Sequence, residues 1–67
     1  MNYYYLIIEE KFYLTPEVRK EILYFDNKEA LKEYKRNFQK DCLHRILETG
    51  FACISNGQLC PGKRARI

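Results

Sequence analysis

The sequence predicts an α+β fold: one small ββαββ domain, a four-stranded, mainly antiparallel sheet with one long helix packed on one face. Three observations lead there. Residues 3–8 form an unbroken run of tyrosine, leucine and isoleucine, apolar on both alternating faces, which suits a strand in the middle of a sheet. Residues 27–48 repeat apolar side chains at steps of three and four, the helical period. Asn56-Gly57 separates two short apolar runs, and that dipeptide tolerates the positive φ of a tight hairpin turn.

Each element has its own warrant. The first strand is expected over about residues 2–9. Thr15-Pro16-Glu17 reads as a turn, with proline fixing φ early in it, and Ile22-Leu23-Tyr24-Phe25 as the body of a second strand over about 20–25. The helix is expected over about 27–48. Asp26, with Glu29 three residues on, resembles a capping box. Leu31, Tyr34, Phe38, Cys42, Leu43, Ile46 and Leu47 form its apolar stripe, and Gly50 is a natural stop. Strands over 51–55 and 58–61 follow, with Ile54 opposite Leu59 and Cys53 opposite Cys60. Residues 62–67 are expected as a basic tail or an edge continuation. A right-handed crossover through the helix lands the third strand beside the first and gives the spatial order 2-1-3-4.

Length limits function. A chain of 67 residues allows one domain and one thin core, and with nearly every residue used by five elements, function is expected at the surface. The longest apolar run is far too short to span a bilayer, and no membrane partner is expected. The N-terminus lacks the basic and small-residue features of a secretory leader. Three cysteines, Cys42, Cys53 and Cys60, are an odd number with no CxxC pair. Free thiols in a reducing cytoplasm are the expectation, with a Cys53–Cys60 cross-strand disulfide as the alternative.

Most catalytic and metal-binding chemistries lack the residues or the spacing they need. Residues 57–63 match the spacing of a phosphate-binding loop, but Arg64 stands where that loop needs Ser or Thr, and only three residues come after it in place of the expected helix. Cys42, His44, Cys53 and Cys60 are zinc-ligand types, yet positions two apart on a helix face opposite ways. Glu9 and Glu10 on a strand point to opposite faces and cannot act as a pair. His44 is the sole histidine and Ser55 has no partner by motif. No cofactor, metal or catalytic residue is expected.

Two binding readings remain. The net charge of +3 conceals an acidic front, −2 over residues 1–26, and a basic back, +5 over residues 27–67. Six tyrosines are too many to bury, and tyrosine gives large contact area at low entropy cost. The leading expectation is a non-catalytic protein-binding module, an inhibitor or accessory factor, whose contact surface is the open sheet face with Tyr3, Tyr5 and Tyr24, or the basic helix face with Lys35 and Arg36. A homodimer through that face or a strand edge is a related form. Small size, mixed charge and no catalytic constellation are also what many phage and mobile-element proteins look like, and some of those block host defence systems. The alternative is nucleic-acid binding through Lys32, Lys35, Arg36, Lys40, Lys63, Arg64 and Arg66.

Overall fold

The computed structural model describes residues 2–39 and 41–67. The elements run β1 (Tyr3–Lys11), β2 (Val18–Phe25), α1 (Lys28–Asn37), β3 (His44–Ser55) and β4 (Gln58–Arg64). The strands form one sheet in the order β2-β1-β3-β4, and every neighbouring pair is antiparallel. The α+β class, the ββαββ order and the central place of the first strand are as the sequence predicts. So is the hairpin register: Cys53 faces Cys60 and Ile54 faces Leu59, across a turn in which Asn56 and Gly57 both have positive φ.

The helix is the main correction. It ends at Asn37, not near residue 48, and the chain is already in β3 at His44. The apolar stripe is real as far as Phe38, whose N–H still donates to the Lys35 carbonyl. Beyond it the helical period of Cys42, Leu43, Ile46 and Leu47 is coincidental. β1 is nine residues long, and its far half needs a backbone partner. Residues 44–46 supply it, with Ile46 opposite Ile8, and the Lys11 N–H adds a bond to the Leu43 carbonyl. Asp41 prepares that strand by accepting the backbone N–H groups of Leu43 and His44, an aspartate turn that competes with helix. A bulge at Leu47, between the Ile7–Glu48 and Ile8–Ile46 pairs, absorbs the register change.

Smaller differences follow the same cause. All four strands run past their expected ends, because pairing to β1 and β3 extends them. Residues 62–64 belong to β4 rather than to a tail. The helix cap is Asn27, not Asp26: its Oδ1 accepts the Ala30 N–H at 2.7 Å, and its amide donates to Asp26.

The core is thin. On the helix side Leu31 packs on Tyr4 and Leu6, with Ile8, Leu23, Phe25, Tyr34, Ile46 and Ile67 around them. Phe25, Tyr34 and Phe38 make a chain of tilted ring contacts under the helix. On the other face Tyr5 is fully buried. Its ring sits against Gly50, and its hydroxyl donates to Glu48. No helix among the described residues is long and apolar enough to cross a membrane.

Candidate functional site

The C-terminal segment builds the site. After β4 the chain continues along β3: the Ala65 N–H donates to the Thr49 carbonyl at 3.0 Å, and the Thr49 hydroxyl donates back to the Ala65 carbonyl at 2.8 Å. Ile67 reaches the helix-side core, and Lys35 Nζ donates to the Ile67 main-chain oxygen at 2.6 Å. Residues 65–67 thus act as a strap between β3 and α1.

An open groove lies on either side of that strap. The larger, about 360 Å³, is lined by Lys35 from the helix, residues 46–49 of β3, and Arg64 to Arg66. The smaller, about 190 Å³, is lined by Lys28 and Lys32 from the helix, Phe51 of β3, and Ala65, Arg66 and Ile67. Ala65 and Arg66 belong to both, so the two read as one divided channel. Its charge is one-sided. Lys28, Lys32, Lys35, Arg64 and Arg66 line it, and Glu48 is the one acidic side chain among the lining residues. That carboxylate already accepts from Tyr5.

The predicted residues divide clearly. Lys32, Lys35, Arg64 and Arg66, more than thirty positions apart in the chain at their extremes, come together at the strap. Arg36 is exposed on the helix but lines neither groove, and Lys63 is exposed on β4. Lys40 lies outside the described residues. Lys28 and Phe51 were missed. Lys28 stands one helical turn before Lys32 and could have been found from that spacing. Phe51 carried no signal, since it reads as an ordinary strand residue.

The tyrosine face stands differently. Tyr5 has no exposed surface, so it cannot itself contact a partner, and its part in an open contact face is corrected. The cause is Gly50, which leaves room for the ring to lie down on the sheet. Burial, then the hydrogen bond to Glu48, push the Tyr5 phenol up to about 12. Tyr3 and Tyr24 are half-buried. The Tyr24 phenol is also pushed up, first by burial and then by Cys60 and Cys53.

Two further clusters have defined geometry. Cys53 and Cys60 are free thiols with Sγ atoms 2.8 Å apart, which raises the Cys60 thiol through that contact. His44 is bracketed by two carboxylates, Asp41 at 2.9 Å from Nδ1 and Glu10 at 3.6 Å from Nε2. Beside it Arg45 pairs with the buried Glu9 at 3.0 Å. At the same end of β1, the loop to β2 exposes Tyr13 (84%) and Leu14 (89%) almost completely. Residues 58–64 form a strand, so the phosphate-loop spacing does not sit on a loop that opens a helix. No family model matches the chain, and neither does any curated protein or solved structure.

Proposed function

We propose that this is a non-catalytic nucleic-acid-binding module that holds phosphates in the channel around the 65–67 strap. The observation that carries this reading is the convergence of Lys28, Lys32, Lys35, Arg64 and Arg66 on one channel. Five cations held by three elements cost electrostatic repulsion, which a polyanion relieves. Burial of Tyr5 removes the anchor of the tyrosine-face reading and moves the weight to the basic side.

The test is binding of short oligonucleotides at rising salt. With about four phosphates engaged, log affinity should fall with log salt at a slope of about −3 for a single strand. A Lys32→Glu, Arg66→Glu double variant should lose binding while melting as the parent does. A parent chain that binds no oligonucleotide at low salt ends this reading.

A protein partner is the second reading, and the tip at Tyr13 and Leu14 favours it. Two large hydrophobic side chains offered almost completely to solvent are a cost to a free monomer and a contact for a partner. In that form the protein is a small inhibitor or accessory factor, of phage or mobile-element type, acting by occlusion. Loss of a co-purifying host protein on Tyr13→Ser, Leu14→Ser would support it.

A further inference from the structure

The smaller groove differs from an ordinary basic patch because an aromatic ring lines it. Phe51 is 40% exposed, and Tyr4 buttresses it at a ring distance of 5.6 Å. Around it stand Lys28, Lys32 and Arg66, and no Asp or Glu side chain lines the groove. We infer that the channel takes single-stranded rather than duplex nucleic acid, with one base stacked on Phe51 and its flanking phosphates on Lys28, Lys32 and Arg66.

The inference rests on the nucleic-acid reading above and adds the class of strand. Three physical points favour it. A base in a duplex has both faces covered by its neighbours, so only an unpaired base can offer a face to Phe51. The cations sit beside the ring, as backbone tracking of a single strand requires. The channel is short and divided by the strap, whereas duplex binding without a helix or ribbon in the DNA groove calls for a long, even basic face. Tyr4 is 9% exposed and fixed in the core, so the platform is preorganised and little side-chain freedom is lost on binding.

The experiment compares a short single strand, its duplex, and the same strand with an abasic site, each against the parent chain. The single strand should bind at least roughly 10-fold tighter than the duplex, and Phe51→Ala should weaken it roughly 5- to 150-fold, the range for one stacked base. Phe51→Ala should leave the salt slope unchanged, while Arg66→Ala should lower it by about 0.7. A fluorescent base analogue should be quenched by the parent and not by Phe51→Ala. Because Phe51→Ala also loosens the contact with Tyr4, Phe51→Leu is the companion: it keeps apolar bulk without a π face and should bind as poorly as Phe51→Ala. Phe51→Trp should restore binding. Equal affinity for duplex and single strand, or full affinity in folded Phe51→Leu, overturns this inference and leaves phosphate binding standing. No binding of any oligonucleotide at low salt overturns the nucleic-acid reading as well.

Discussion

The Tyr5 ring occupies the space that a side chain at Gly50 would fill. A Cβ built on Gly50 would lie 2.6 Å from Tyr5 Cε1 and would also meet the Lys63 carbonyl. Glycine is required at this crossing of β1, β3 and β4 because a ring and a backbone approach it together. Gly50→Ala should therefore destabilise the fold by about 1–3 kcal/mol, the cost of overpacking a filled site. Tyr5→Ala should cost about 3–5 kcal/mol, a large share of what so small a domain holds. Thermal melts of both variants check this. A Tyr5→Ala variant that melts like the parent contradicts the buried placement.

Tyr5 also sets a limit at high pH. Its phenol is raised from 10.0 to about 12 in the folded chain, so the neutral form is favoured by folding. The stability it contributes is complete below about pH 10 and is lost as pH rises from 10 towards 12. Alkaline unfolding followed by tyrosine absorbance should show the Tyr5 phenol ionising with the loss of structure. Tyr5→Phe should remove that step.

The turn into β3 should respond to pH on both sides. Hydrogen bonding to Asp41 raises His44 above 6.5, and the same contact lowers Asp41 below 3.8. His44 contributes fully below its unfolded value and loses that contribution as pH rises through its raised folded value. Asp41 contributes above its unfolded value and loses it as pH falls through its lowered one. An NMR titration should find His44 above its ordinary value in the parent, and moved back towards it in Asp41→Asn. An unchanged His44 in that variant contradicts the pairing.

Cys53 and Cys60 should oxidise together and without rearrangement. They are directly opposed on the hairpin with their sulfurs already in contact, and opposed strand residues fall within disulfide reach. With oxidised glutathione, the two thiols lose two electrons and two protons to the glutathione disulfide, which leaves as two thiols. Mass spectrometry should find a loss of two hydrogens within one chain, with Cys42 still alkylatable. A product linked through glutathione at Cys53 alone would count against this geometry.

Asn27→Ala should cost about 1 kcal/mol, the usual worth of a helix cap, while Asp26→Ala should stay within about 0.5 kcal/mol. Chemical denaturation of the two variants separates the capping residue from its neighbour.

Local signals in the sequence carried most of the fold. The two-faced apolar run of β1 placed it centrally, and Asn56-Gly57 gave the hairpin register to the residue. The end of the helix was not legible, because Cys42, Leu43, Ile46 and Leu47 obey a helical period while pairing as a strand. What decides between the two is the unfilled backbone of β1 some thirty-five residues earlier, and no local window contains it. The Asp41 turn was the available sign. At the site, the individual cations were legible and their meeting was not, since it depends on the strap returning to the helix. Tyr5 was misread for a similar reason: Gly50 lies forty-five positions away.

The central position of β1 governs how the chain can assemble. β1 is made well before it can be completed, because its second neighbour, β3, lies some forty residues downstream. Closing that span comes before most of the sheet's reward, so this chain belongs with the slower folders of its size. During synthesis the hairpin of β1 and β2 stands with an apolar, unpaired edge until β3 emerges. A nascent chain stalled after α1 would present that edge to any strand within reach, and its solubility depends on how soon the last third arrives.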